Sequence, residues 1–154
     1  MTSDKKFASD LTPQPAVVKS VDISASAGDV WQALTEPDKI AQWMNGARVE
    51  STWEAGSDIT FSGTMPNFDI PYRDIGTILA VERGKFLKYN LWSQASRRPD
   101  LPQNRTVVTL TLEWTGQQTH LSIHHEGFRS ESEYKHANFF WTVAPSMIKK
   151  LCEQ

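Results

Sequence analysis

The stretch SESEYKHANFFWTVAPSMIKKL, residues 130–151, has the spacing of a long amphipathic helix. At about 100° per residue, its apolar side chains fall in one sector and its polar side chains in the opposite sector. Pro145 lies within the stretch and removes one backbone donor, which predicts a kink. We predict a helix over residues 132–151 that either packs on a sheet or closes one side of a ligand cavity. The apolar sector contains Tyr134, Ala137, Phe140, Trp141, Ala144, Met147, Ile148 and Leu151.

Composition excludes several classes of protein. The 154 residues suffice for one domain with one core. The formal net charge is −2 and both signs are mixed along the chain, which argues against nucleic acid or an anionic membrane as the main partner. No apolar run approaches the roughly 18 residues of a membrane span, and Cys152 is the single cysteine. We therefore expect a cytoplasmic protein without an internal disulfide.

The remaining residues predict two short helices and a series of strands. Residues 1–15 mix polar side chains with two prolines, which predicts a flexible tail before a single domain, residues 16–154. Ser26 is the expected N-cap of the first helix, which Pro37 ends, and the second helix covers residues 37–43. Alternation of apolar and polar residues predicts strands at 16–24, 48–53, 59–65, 72–82, 86–92, 105–114 and 119–126, with loops at 66–71 and 93–104.

This order of elements indicates the α+β class. Consecutive strands joined by short turns form an antiparallel sheet, and the final helix must cover its single apolar face.

Four segments also carry a resemblance to a known family. They are VWQALTEPDKIAQWM (30–44), EAGSDITF (54–61), GTILAVERGKFLKYNLW (76–92) and LSIHHEGF (121–128). With the order of elements, they resemble the SRPBCC, or START-like, superfamily, to which the birch-pollen allergen type belongs. Within it, the chain is most similar to small proteins related to the C-terminal domain of the activator of a heat-shock chaperone's ATPase. The resemblance covers residues 17–151.

The resemblance implies a helix-grip fold. In that fold, a curved antiparallel sheet of six to seven strands wraps around the C-terminal helix and leaves a cavity between them. Two departures affect the expected mouth of the cavity. Ser57 stands where the family usually has a second glycine, and the loop PNFDIP at 66–71 is specific to this chain. The size and identity of a ligand therefore do not follow from the family.

The side chains expected to line such a cavity are mostly apolar, as a small-molecule site requires. Tyr89 and His125 are the expected polar anchors, and His125 needs partners for both ring nitrogens, either core hydroxyls or a ligand. The alternative is that the same residues simply fill a solid core. The predicted lining consists of Trp43, Met44, Phe61, Phe68, Tyr89, Leu91, Leu110, Trp114, Ile123, His125, Phe140, Ala144 and Met147.

No motif indicates catalysis, a cofactor or a metal. His120 and His124 share a strand face but lie about 13 Å apart, while His124 and His125 point to opposite faces. The acidic residues fall mostly on outward or loop positions, so no carboxylate pair is expected. We therefore expect no catalytic residue, no metal and no cofactor.

Three functions remain open on these residues. The first is non-enzymatic binding of a small hydrophobic, aromatic or lipid-like ligand between sheet and helix. The second is a polyketide cyclase or aromatase-like enzyme with His125 and Tyr89 as acid or base. The third is a co-chaperone-like interaction protein. Phe139 projects from the polar side of the last helix, with Val143 beside it, and suggests a partner contact or a homodimer surface.

Overall fold

The computed structural model describes residues 12–65 and 68–154, so most of the predicted tail lies outside the described residues. The strands are β1 (Val17–Ile23), β2 (Arg48–Ser51), β3 (Asp58–Met65), β4 (Ile70–Glu82), β5 (Phe86–Ser93), β6 (Thr106–Trp114) and β7 (Thr119–Glu126). The helices are α1 (Ala27–Thr35), α2 (Pro37–Trp43) and α3 (Glu131–Cys152). The strands form one seven-stranded antiparallel sheet in the order β1-β7-β6-β5-β4-β3-β2. The long C-terminal helix α3 covers this sheet, which confirms the α+β prediction.

Helices α1 and α2 form where the sequence predicts them. The Ser26 hydroxyl accepts a hydrogen bond from the Asp29 backbone N–H at 3.1 Å, which confirms the N-cap. Pro37 occupies the first turn of α2, where its missing N–H costs nothing. The Trp43 indole N–H donates to the Ala33 carbonyl at 2.8 Å in a buried contact. This bond ties the end of α2 to α1.

Helix α3 extends one residue beyond the prediction at each end. The hydroxyl of its N-cap, Ser130, accepts from the Glu133 backbone N–H at 3.2 Å. Ala137, Trp141, Ala144 and Ile148 are buried, as the apolar sector predicts.

The core lies between α3 and the inner face of the sheet. Strand β7 alternates strictly, with Thr119, Leu121, Ile123 and His125 buried and the residues between them more exposed. In β4 the alternation changes phase, because a register shift lies between Ile78 and Ala80.

Two predicted lining residues are exposed to solvent and not buried. Trp114 is 52% exposed although it has the inward parity of Leu112, which is 7% exposed. Trp114 is the last residue of β6 and pairs with Thr119, which is buried, yet its own ring stays exposed. Phe68 lies in the turn before β4 and is 67% exposed, so it closes no cavity end. The prediction that both residues form part of a buried lining is therefore wrong.

The loop predicted over 66–71 also ends earlier than expected. Strand β4 begins at Ile70, and Pro71 pairs with Thr64 of β3. The described pairing of β4 with β5 starts only at Asp74, so the missing N–H of Pro71 faces an unpaired side.

Replacing Trp114 by alanine should therefore cost little. A half-exposed ring loses only part of its burial energy, and we expect the free energy of unfolding to fall by less than about 1 kcal/mol. Urea denaturation of the wild type and the variant measures this difference. A loss of about 3 kcal/mol, which is typical of a buried tryptophan, would contradict the exposed position.

Candidate functional site

His125 is held by protein groups on both sides of its ring. The Trp141 indole N–H, which can only donate, reaches Nδ1 at 3.1 Å. The proton of the neutral ring therefore lies on Nε2, which is 2.8 Å from the Thr106 hydroxyl oxygen. That hydroxyl lies 3.4 Å from the Leu91 carbonyl oxygen, to which it donates. The sequence left open whether core groups or a ligand would bond the two ring nitrogens of His125. In the structure both nitrogens bond to core side chains, so neither is free for a ligand.

Burial keeps the His125 ring neutral. Desolvation first, and the nearby His124 second, lower the pKa of His125 from 6.5 to about 4. Its ring stands 4.6 Å from that of Phe128 and edge-on to that of Trp141 at 6.5 Å. A ring so placed is suited to holding β7, β6 and α3 together rather than to proton transfer near neutral pH.

This burial predicts an acid-sensitive stability. An unfolded His125 takes up a proton near pH 6.5, whereas the folded ring takes it up only near pH 4. Between these values the unfolded state binds more protons. Stability should therefore be full above pH 6.5 and fall toward pH 4, with a slope of up to about 1.4 kcal/mol per pH unit from this group. In His125→Gln this part of the slope should vanish in urea denaturation. An unchanged slope would contradict the assignment. The exposed variant His124→Gln removes only the lesser cause of the lowered pKa and should keep most of the slope.

A second group of polar side chains lies at one end of the inner face, and sequence reasoning missed its central residue. Asp74 of β4 pairs with Phe61 of β3 and Ser93 of β5 in the sheet register. It shares the inward parity of buried Gly76 and Ile78 and is itself half-buried. Strict alternation counted back from the inward Val81 would place Asp74 on the outer face. That count fails because the register shift after Ile78 lies between the two residues. Alternation starting from Gly76 and Ile78 could have identified it.

Several groups interact with the Asp74 carboxyl. Burial raises its pKa above the ordinary 3.8, against the lowering effect of hydrogen bonds from the Ser93 side chain and the Gln94 backbone and of nearby His136. Burial, and secondarily Asp74, also raise the pKa of Tyr89 and of Tyr72. We call Tyr72, Asp74, Tyr89, Ser93 and His136 the Asp74 cluster. It offers an acid that gains a proton more readily than usual, beside neutral phenols.

Aromatic walls adjoin this cluster. The ring of Phe61 is 6.0 Å from that of Tyr89, and Phe140 of α3 lies 4.8 Å from Trp141 and 6.4 Å from Trp43. The structure thus brings eleven of the thirteen predicted residues to the core or its margin. Buried are Trp43, Phe61, Tyr89, Leu110, Ile123, His125 and Ala144, and partly buried are Met44, Leu91, Phe140 and Met147.

The segment between β5 and β6 is anchored beside the start of α3. The Trp92 indole N–H donates to the Arg98 carbonyl at 2.9 Å, and the Arg98 guanidinium pairs with the Glu133 carboxylate at 2.8 Å. Glu133 also accepts from the Arg129 backbone N–H at 2.9 Å. Charge-assisted contacts between mostly buried groups are stronger than exposed ion pairs. These contacts hold the segment between β5 and β6 in place near Gln94 and the Asp74 cluster.

Two depressions among the described residues lie elsewhere. One, of about 300 Å³, lies between β1 and α3 and contacts Lys19, Val21, Pro145 and Lys149. The other, also about 300 Å³, lies between α1, the end of β2 and the β4–β5 turn. Residues 12–65 and 68–154 hold no group of three or more His, Cys, Asp or Glu side chains that could bind a metal. Within the same ranges, every helix is too short or too polar to cross a membrane.

Comparison with known proteins identifies the family. The model of the family described as Activator of Hsp90 ATPase homolog 1-like protein matches residues 24–153. The solution structure of ChR145 from Cytophaga hutchinsonii is 31% identical, covers 90% of this chain and 93% of its own, and superposes with a TM-score of 0.75. MLL2253 from Mesorhizobium loti is 27% identical, with 89% and 96% covered and a TM-score of 0.71.

A more distant structure has the same fold. The Aha1 dimer from Colwellia psychrerythraea is 18% identical, with 91% of this chain and 97% of that chain covered and a TM-score of 0.69. No curated protein matches the sequence. Because the family match spans most of the chain and agrees with the helix-grip arrangement of sheet and α3, the protein belongs to the Activator of Hsp90 ATPase homolog 1-like family of the START-like superfamily.

Proposed function

We propose that the protein binds a small, largely hydrophobic molecule between the sheet and α3, at the end where the Asp74 cluster lies. The observation that carries this proposal is Asp74 itself, a carboxyl group on the inner face of a central strand. Its neighbours across the sheet are Phe61 and Ser93. A ligand would place its apolar body against Phe61, Tyr89 and Phe140 and a hydrogen-bonding group against Asp74.

The position of Asp74 is costly for a group that only fills space. A carboxyl loses hydration on burial, and a directly contacting cation normally compensates it. The contacts here are a hydroxyl and a backbone N–H, with exposed His136 acting only through its charge. An apolar residue at this place would pack without that cost. Titratable groups that are buried at a cost in free energy, and whose pKa is shifted as a result, are concentrated at functional sites.

The Asp74→Asn variant tests the cost and the function together. Because the folded pKa of Asp74 is raised, the folded state holds more protons than the unfolded state just above pH 3.8, so stability falls as pH rises through that window. Asparagine carries no charge, so the variant should melt at a higher temperature than wild type at pH 7 and lose this advantage in acid. Glu113→Gln, on the exposed side of β6, is the control and should show no such gain.

Ligand binding is measured on the same two variants. A thermal-shift screen with fatty acids, flavonoid-like aromatics and polyketide mimics should find a class that stabilises wild type by about 2.7 kcal/mol at a hundredfold excess over its dissociation constant. The shift should be largely lost in Asp74→Asn and kept in Glu113→Gln. No shift from any class would count against a ligand, and equal shifts in both variants would place the ligand elsewhere.

An enzyme of the cyclase or aromatase type is the second candidate. The sequence offered only two polar groups for the interior, whereas the Asp74 cluster brings four buried or partly buried groups together and has the exposed His136 at its margin. Asp74, with its raised pKa, replaces neutral His125 as the group suited to general acid chemistry. A polyketide mimic that wild type converts and Asp74→Asn only binds would establish this function. If both proteins bind the mimic and neither converts it, the enzyme hypothesis is wrong and non-enzymatic binding is the function that is left.

A homodimer through the outer side of α3 is a further proposal. Phe139 is 73% exposed and Val143 is 41% exposed on that side. A dimer has been determined for the Colwellia relative. Sedimentation of wild type as a dimer and of Phe139→Ser as a monomer would support it, whereas a monomeric wild type would contradict it.

A further inference from the structure

The depression beside α1 is lined by aromatic and basic side chains that take no part in the proposed interior site. It has a volume of about 300 Å³ and lies between α1, the end of β2 and the β4–β5 turn. This volume is at the lower end of those that hold small molecules. We call it the Trp53 pocket, and it is lined by Trp31, Thr35, Thr52, Trp53, Val81 and Arg83.

The two tryptophans offer unused donors. Three other indoles of the chain, those of Trp43, Trp92 and Trp141, donate to protein acceptors. Trp31 and Trp53 donate to none within the described residues, yet no buried side-chain nitrogen there lacks a partner. Their N–H groups therefore reach solvent. For Trp31, which is only 7% exposed, that small exposed part includes the N–H.

The charge of the pocket is positive. Arg83 lies in the turn between β4 and β5 and makes no ion pair with any residue in 12–65 or 68–154. The lining contains no carboxylate. A free guanidinium beside indole donors is complementary to a carboxylate, which it can bind through two parallel hydrogen bonds.

The backbone at Trp53 is held in a strained conformation. Its φ is +62°, in the left-handed region that bulky residues seldom adopt, and its N–H donates to the Ser51 hydroxyl at 3.0 Å. A glycine would adopt this φ without strain, so the position does not favour tryptophan for backbone reasons. Strain of this kind recurs at ligand-binding positions, and here it places an indole on the pocket wall.

We propose that the Trp53 pocket is a second binding site, separate from the interior, for a planar aromatic carboxylate. The ring of the ligand packs against the indole of Trp53 and the exposed edge of Trp31, and its carboxylate binds Arg83. Indole faces supply apolar contact area, while the guanidinium fixes the orientation and selects the anion.

The test uses naphthoate and its uncharged amide as matched probes. Two-dimensional NMR of the ¹⁵N-labelled chain follows the indole N–H signals, assigned with single Trp→Phe variants. Naphthoate should shift the signals of Trp31 and Trp53 and leave that of Trp141 in place. The amide, and naphthoate with Arg83→Gln, should bind at least about tenfold more weakly, as expected when one charge-assisted contact is lost. Lys85→Gln, in the same turn but outside the lining, should bind as wild type does.

Three results would overturn the proposal. The first is no shift of the Trp31 and Trp53 signals at millimolar naphthoate. The second is equal weakening by Arg83→Gln and Lys85→Gln, since only general charge would then matter. The third is a shift of the Trp43 and Trp141 signals alone, which would place the probe in the interior and support the proposed function instead.

Discussion

Replacing Trp141 by alanine should lower the free energy of unfolding by about 4 kcal/mol. The indole is 3% exposed and contacts the rings of Phe140 at 4.8 Å and Trp43 at 6.4 Å. Its loss leaves a void at the middle of α3 and removes the donor that holds His125 Nδ1 at 3.1 Å. Guanidinium denaturation, with Trp114→Ala as the exposed counterpart, measures the cost. A loss below about 1.5 kcal/mol would mean that the ring is not packed as described.

Trp141→Phe separates packing from hydrogen bonding. Phenylalanine keeps most of the buried ring but leaves His125 Nδ1 without a donor, which costs about 1–3 kcal/mol. A free Nδ1 can also take a proton, so the pKa of His125 should rise from about 4 toward its ordinary value. NMR titration of the His125 ring measures this. An unchanged pKa would indicate that desolvation and the nearby His124 keep the ring neutral without the Trp141 donor.

Replacing Gly76 by alanine should cost about 3 kcal/mol or prevent folding. A β-carbon at Gly76 would overlap the backbone carbonyl oxygen of Asn90 and approach its carbonyl carbon to 2.9 Å. Both groups belong to strand backbones, so neither can turn away as a flexible side chain would. The Asn90 side chain also accepts from the Thr77 N–H at 2.9 Å and would be displaced with its strand.

Gly28→Ala is the matched control for this prediction. Gly28 lies in the first turn of α1, where an added β-carbon meets only the Ser26 hydroxyl at 3.8 Å. Alanine is favoured over glycine in a helix by up to about 1 kcal/mol, so this variant should equal or exceed wild type in stability. Thermal melts of the two variants compare the positions directly. Equal behaviour would contradict the close approach of β5 at Gly76.

The sequence by itself determined the helices and strands, and their inner faces, wherever the spacing of apolar residues was regular over the whole element. The apolar sector of α3 and the N-cap at Ser26 are confirmed because they depend on local spacing and local hydrogen bonds. Alternation likewise placed Leu110, Ile123 and His125 in the core. The order of these elements also determined the fold class, since short turns leave antiparallel neighbours as the simple arrangement.

Only the tertiary structure decided where the alternation of a strand no longer predicts which side chains are buried. Trp114 has the inward parity and pairs with buried Thr119, yet its own ring is 52% exposed, because alternation predicts the face of a side chain and not how much of it is covered. Asp74 faces inward because a register shift reverses the parity of β4 after Ile78, which depends on the pairing with β5. The partners of His125 and the walls of the Trp53 pocket come from segments far apart in the chain. Such contacts are products of packing, and no local pattern contains them.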